Sequence, residues 1–193
     1  FSVRRVTAIQ NGKQIFNLAA SFQVPEEGFE HQDRAPDVTP PEDLLNEEQL
    51  READGIPPRD RDWPVEVRPI DPQRRDQTEP MAPLYNVWFK ARQSVGPDVA
   101  VNQCALAYGS DMSLLDASLR PHPVPHGELQ VASLDHALWF HRPSDFSDWH
   151  LYVQDSPSAS GGRGFNRGSI FDRQGRLVAS ATQEALIRHR PPR

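Results

Sequence analysis

The sequence predicts an α+β protein on three observations: an alternating strand at 85–92, one long helical stretch at 98–119, and a closing run of strands between 130 and 188. In the first, Tyr85, Val87, Phe89 and Ala91 alternate with Asn86, Trp88, Lys90 and Arg92, the period of a strand with one face in a core. In the second, Val101, Cys104, Ala105, Tyr108 and Met112 recur at helical spacing. They predict an apolar stripe lying against a sheet, with Cys104 in the core, on a helix broken or kinked in its middle. Pro121, Pro123 and Pro125 end it. The closing strands are expected at 130–142, 149–154, 163–171 and 176–188, the last two paired through the turn at 172–175.

Earlier in the chain, residues 2–9 and 14–22 read as two strands joined at Asn11-Gly12, the pair that best tolerates the two positive φ angles of a tight hairpin turn. A lone hairpin is marginal in water, so the reading expects partner strands upstream of Phe1. From about 25 to 83 the texture changes to Pro, Asp, Glu and Arg. This predicts a linker carrying one short helix at 41–53, started near Thr39-Pro40 and stopped at Gly55. The domain expectation is therefore a terminal hairpin at 1–24, a linker at 25–83 and a complete domain at 84–193. An internal similarity fits it: Ile9-Gln10-Asn11-Gly12-Lys13-Gln14-Ile15-Phe16 resembles Phe171-Asp172-Arg173-Gln174-Gly175-Arg176-Leu177-Val178, as if the chain held the tail of one copy and the whole of a second.

Composition narrows the function. A net charge of -6 offers no basic field, so no nucleic-acid partner is expected. No apolar run approaches the ~20 residues that cross a bilayer, and residues 1–5 lack the order of a secretory signal, so no membrane span is expected. Cys104 is the sole cysteine, which excludes an internal disulfide or a cysteine-based zinc site and fits a reducing compartment, the cytoplasm.

Several tempting patterns fail on geometry. Ser133, Asp135 and His136 are no serine triad, because strand neighbours alternate faces and no Gly-x-Ser-x-Gly elbow exists. His136 and His141, five apart, fall on opposite faces, so a shared metal is not expected; packing or a hydrogen bond is. The glycine-rich stretch 158–164 lacks a Gly-Lys-Ser/Thr ending and reads as a bulge or tight turn. Asp111, by itself, reads as a helix cap or a solvated charge. Gln183, in a row with Leu177, Ala179 and Ala181, is polar where its neighbours are apolar, a mild sign of a site.

Ser133-Leu134-Asp135-His136-Ala137-Leu138-Trp139-Phe140-His141-Arg142-Pro143, with Ser158-Ala159-Ser160-Gly161-Gly162-Arg163-Gly164-Phe165, resembles the acyl-CoA thioesterase II family of bacteria and its peroxisomal relatives. So do Arg4-Arg5-Val6, Ala20-Ser21-Phe22-Gln23 and Gly28-Phe29-Glu30-His31-Gln32. The resemblance runs along nearly the whole chain and is weakest at 33–61. It implies a double hotdog fold, each half a long helix wrapped by an antiparallel sheet, with this chain holding the end of the first half and all of the second. It also implies the catalytic set: Asp111 in Tyr108-Gly109-Ser110-Asp111, Ser133 before the Asp-His run, and Gln183 in the last strand.

The implied reaction is hydrolysis of fatty acyl-CoA to free fatty acid and coenzyme A, with no cofactor and no metal. Asp111 would be the base that activates water, while Ser133 and Gln183, which can donate and accept, would orient it. Oxyanion donors stay open between backbone N–H groups at a helix end and the Gln183 amide. Arg163 and Arg167 are candidates for the coenzyme A phosphates. Hotdog enzymes of this kind commonly associate through sheet edges, so a homo-oligomer is expected. The rival reading is a non-catalytic acyl-CoA-binding half that acts only in an oligomer. An enoyl-CoA hydratase is disfavoured, because no histidine follows Asp111 within a few residues.

Overall fold

The computed structural model describes residues 1–59, 63–73, 78–124 and 128–190. Pro125 and parts of the expected linker lie outside them. The chain divides into two units, Phe1–His31 and Gln32–Arg193.

In the first unit, β1 (Ser2–Gln10) pairs antiparallel with β2 (Lys13–Phe22). Asn11 at φ 51 and Gly12 at φ 73 make the turn, both left-handed as the sequence predicts. Val6, Ile9, Ile15, Phe16, Leu18 and Phe22 of this hairpin are exposed.

The second unit is an antiparallel sheet in the order β3-β4-β7-β8-β9-β5, with β6 also on β9. Its strands are β3 (Val65–Pro69), β4 (Leu84–Ala91), β5 (Leu129–Ser133), β6 (Ala137–Phe140), β7 (His150–Ser160), β8 (Arg163–Asp172) and β9 (Leu177–His189). One core gathers Val87, Phe89, Tyr152, Ile170, Ala179 and Ala181 from the strands with Leu106 and Ala117 from the helices and Leu114 from the turn between them. The alanines of β9 leave room for that helical layer.

Between 25 and 83 the expectation of a linker is corrected. Val65–Pro69 is a sheet strand, registered Val65↔Ala91 to Pro69↔Val87 against β4, and its Pro is tolerated because β3 is an edge. Ala35, Val38, Leu44 and Ile70 cover Trp88, Trp149, Leu151 and Phe171 in a second cluster, and the Trp88 indole N–H donates to the Thr39 carbonyl at 2.9 Å. The expected helix shrinks to a 3-10 turn at Pro41–Asp43 and α1 (Glu47–Ala53), which starts at a reciprocal cap between Asn46 and Gln49 rather than at Thr39-Pro40.

The helix at 98–119 is broken, as expected, into α2 (Val99–Ser110) and α3 (Asp116–Leu119). Asp98 caps α2 by accepting from the Ala100 and Val101 N–H groups. Its buried face is only partly the expected one: Ala105, and Met112 just beyond its end, pack on the core as predicted. Asn102, Leu106, Gly109 and Ser110 are buried, whereas Val101, Cys104 and Tyr108 are exposed. The helix is turned by about one residue because its inner face is held by polar contacts that apolar spacing does not reveal. The Asn102 amide donates to the Gly96 and Asp98 carbonyls and its oxygen accepts from the Phe146 N–H. Gly109 permits close approach, since a Cβ there would come within 2.7 Å of the Phe146 ring and 3.2 Å of Phe89.

Candidate active site

Three of the five sequence-predicted site residues converge. Asp111 follows directly on α2, Ser133 ends β5 and Gln183 lies buried on the inner face of β9. The Gln183 amide donates to Ser133 Oγ at 2.7 Å, and the Ser133 hydroxyl donates to Asp111 Oδ1 at 3.2 Å. Asp111 and Ser133 are exposed, so the carboxylate is open to water.

The placement of Asp111 does not follow from helix stability. A carboxylate at a helix C-terminus faces the negative end of the macrodipole. It is instead held there by tertiary contacts: the Tyr152 hydroxyl donates to the Ser110 carbonyl at 3.1 Å, the Gln154 amide to Ser113 Oγ at 2.8 Å, and the Ser118 N–H to Asn166 Oδ1 at 3.1 Å. These contacts come from β7 and β8 and dock the break between α2 and α3 on the sheet.

One feature of the site was not legible at all. The strand expected at 130–142 is interrupted, because Ser133 pairs with Ala185 while Ala137 pairs with Thr182, so four steps on one strand face three on the other. That is a bulge at 134–136. Asp135 stabilises it by accepting the Glu184 N–H at 2.7 Å, and the Leu134 N–H donates to the Glu184 carbonyl at 2.9 Å. Ser133 and His136, which a regular strand would send to opposite faces, both reach Gln183. His136 Nδ1 lies 2.6 Å from Gln183 Oε1, and its Nε2 lies 2.9 Å from Ser110 Oγ. The expectation of a hydrogen bond for His136 holds; its partner was the surprise.

Arg163 and Arg167 are not brought to this group. They lie on the outward face of β8, beside inward-facing Gly164, Asn166 and Gly168, and each pairs with a neighbouring carboxylate. Arg163 meets Glu184 at 3.2 Å and Arg167 holds Asp155 through two contacts, at 2.5 and 2.9 Å. A phosphate there would have to displace those partners. The glycine-rich stretch is the tight turn expected, with Gly161 and Gly162 at φ 59 and 75. Among the described residues, no group of three His, Cys, Asp or Glu side chains is arranged to hold a metal, and no helix is long and apolar enough to cross a membrane.

The family model described as acyl-CoA thioesterase matches residues 59–186. Acyl-CoA thioesterase 2 of Haemophilus influenzae is 40% identical over 201 residues, covering 97% of this chain and 69% of that protein. The chain belongs to the acyl-CoA thioesterase family. An acyl-CoA thioesterase II of Mycobacterium marinum superposes with a TM-score of 0.80 at 40% identity, over 97% of this chain and 68% of its own. A conserved protein with the hotdog fold from Alicyclobacillus acidocaldarius gives a TM-score of 0.76 at 18% identity, over 98% of this chain and 68% of its own, and speaks to the fold alone. The antiparallel sheet carrying α2 and α3 is thus the hotdog fold of this thioesterase family. The chain spans between 64% and 69% of the length of the curated relatives it matches.

Proposed function

We propose that the protein hydrolyses fatty acyl-CoA to a free fatty acid and coenzyme A, using water activated by Asp111. The observation that carries this reading is the row Gln183–Ser133–Asp111, in which each donor points toward the carboxylate. Asp111 takes a proton as the water oxygen attacks the thioester carbonyl carbon, the C–S bond breaks, and the coenzyme A thiolate leaves to be protonated. A base held in place contributes roughly 10²–10⁴-fold. Ser133 spends its one proton on Asp111 and one lone pair on the Gln183 amide, so its second lone pair remains to orient the water, and the second amide hydrogen of Gln183 is available to the developing oxyanion.

The proposal includes a cytoplasmic location, supported by the single cysteine and by the similarity to a bacterial thioesterase. It also includes an assembly of at least two chains, supported by the exposed Val6, Ile9, Phe16 and Leu18. Asp111→Asn should cut turnover of a long-chain acyl-CoA by at least about a hundredfold without unfolding the protein. Ser133→Ala and Gln183→Ala should each cost less, and the double variant should cost less than the product of the two. Near-normal turnover in folded Asp111→Asn would overturn the role of Asp111 as the base, whereas a folded wild-type protein that binds acyl-CoA without turning it over would favour the non-catalytic binding reading.

A further inference from the structure

We infer that His136 is a positioning residue that sets the direction of the hydrogen-bond row ending on Asp111. The inference rests on the hydrolytic reading above and adds a group that does not touch the reacting atoms. A carboxamide has two ends of nearly equal size, and nothing in Gln183 itself decides which end faces Ser133. His136 decides it. With a proton on Nδ1, the ring donates to Gln183 Oε1 across 2.6 Å, which turns the amide nitrogen to Ser133 Oγ at 2.7 Å. Ser133, already accepting from the amide, then directs its only proton to Asp111 Oδ1 at 3.2 Å.

The opposite arrangement is self-consistent and inactive in this scheme. With the proton only on Nε2, Nδ1 becomes an acceptor and the amide turns over. Ser133 would then face the amide oxygen and give its proton there, and Asp111 would lose its hydrogen bond. The ring is therefore a selector between two orientations of one amide.

His136 is itself anchored to the helix end it serves. Its Nε2 is 2.9 Å from Ser110 Oγ, and Ser110 immediately precedes Asp111. The one proton of that hydroxyl has two acceptors in reach, Nε2 and the Ala107 carbonyl at 2.9 Å, and the inference requires it on Nε2, which leaves the ring's own proton on Nδ1. The contacts close a loop: Asp111 to Ser133, to Gln183, to His136, to Ser110, and back along the chain to Asp111. A closed loop of this kind fixes the gap between the end of α2 and strand β9, the gap across which the water must be held. The bulge at 134–136 is what permits it, because only an extra residue lets Ser133 and His136 reach the same side chain.

Three variants of the whole protein test this beside Asp111→Asn. His136→Ala should lower kcat at least about tenfold while leaving KM within about twofold, the signature of misplaced chemistry rather than lost binding. His136→Asn places an N–H near Nδ1 and should recover kcat to within about threefold of wild type. His136→Gln, whose amide reaches the Nε2 position instead, should not. In a Ser133→Ala background, His136→Ala should add less than about twofold, since the row it directs is already broken. The inference fails if His136→Asn and His136→Gln are equally active, or equally damaged, with unchanged circular dichroism, because a merely structural ring would not distinguish them. If Asp111→Asn retains activity, the assignment of Asp111 as the base fails, and with it the row that His136 would direct. If Asp111→Asn is inactive and His136→Ala keeps a normal kcat, only the inference does.

Discussion

Two hairpins of this chain have similar sequences at their turns and opposite surroundings. β1–β2 turns at Asn11-Gly12 with both residues left-handed, and β8–β9 turns through Asp172–Gly175 with Gly175 at φ 78 and the Asp172 carboxylate accepting from the Gln174 and Arg176 N–H groups. In β8–β9, Ile170, Ala179 and Ala185 are fully buried and Ala181 nearly so; in β1–β2, Ile9 is 69%, Ile15 62% and Phe16 54% exposed. The turns need only local chemistry, so both form. Burial is a property of what lies over the strands, and α3 packs on β8. Hence β9 carries alanines and one glutamine on its inner face, where space is scarce, while β1 and β2 carry isoleucine and phenylalanine.

The largest effect should come from filling the crowded hairpin. A Cβ at Gly168 of β8 would overlap the Tyr152 ring, whose hydroxyl holds the Ser110 carbonyl beside Asp111. Gly168→Val should therefore cost about 3 kcal/mol or more in urea unfolding and abolish activity with it. A stable, active variant would mean that the layer over β8–β9 is looser than the contrast requires.

A middle-sized effect tests burial by charge. Burial pushes the Asp116 carboxyl at the start of α3 up to about 7, with Glu47 adding to the rise and Arg120 opposing it. Its folded value lies above its unfolded one, so the folded state binds the proton more tightly. Its contribution is complete below about pH 4 and is lost as pH rises through about 7. Asp116→Asn should stabilise the protein by about 1–3 kcal/mol at pH 8, discounted because the residue is half-buried, and by little near pH 4. Thermal melts across that range check it; a gain that does not grow with pH would place Asp116 in a solvated environment instead.

The smallest effect on folding should come from the exposed hairpin. Phe16→Ser should change unfolding free energy by no more than about 0.5 kcal/mol in a chain studied as a monomer. The same change should weaken association in size-exclusion chromatography with light scattering if this face is covered in an assembly. An undiminished assembly would remove the hairpin from the interface.

Much of the frame was legible because its signals are local. Asn11-Gly12 specified its turn, the alternation from Tyr85 to Phe89 specified a strand facing a core, and the break after α2 was visible. β3 was missed because the four residues between Pro64 and Pro69 carry too little periodicity to separate a strand from a linker. Half of the face of α2 was missed, Ala105 and Met112 packing inward as expected, because its buried residues include Asn102, Gly109 and Ser110, which apolar spacing does not mark as inward.

By itself, the sequence determined the hairpin turns and the α+β order of elements and, through motif resemblance, singled out Asp111, Ser133 and Gln183 as the candidate set. Only the tertiary structure decided how those three meet. The bulge at 134–136 arises from register against β9, and the seat of Asp111 arises from Tyr152, Gln154 and Asn166 on strands 40 to 50 residues away. Local propensity sets φ and ψ one residue at a time. A count of four steps against three, or a hydroxyl meeting a helix's last carbonyl, exists only once two distant segments lie side by side.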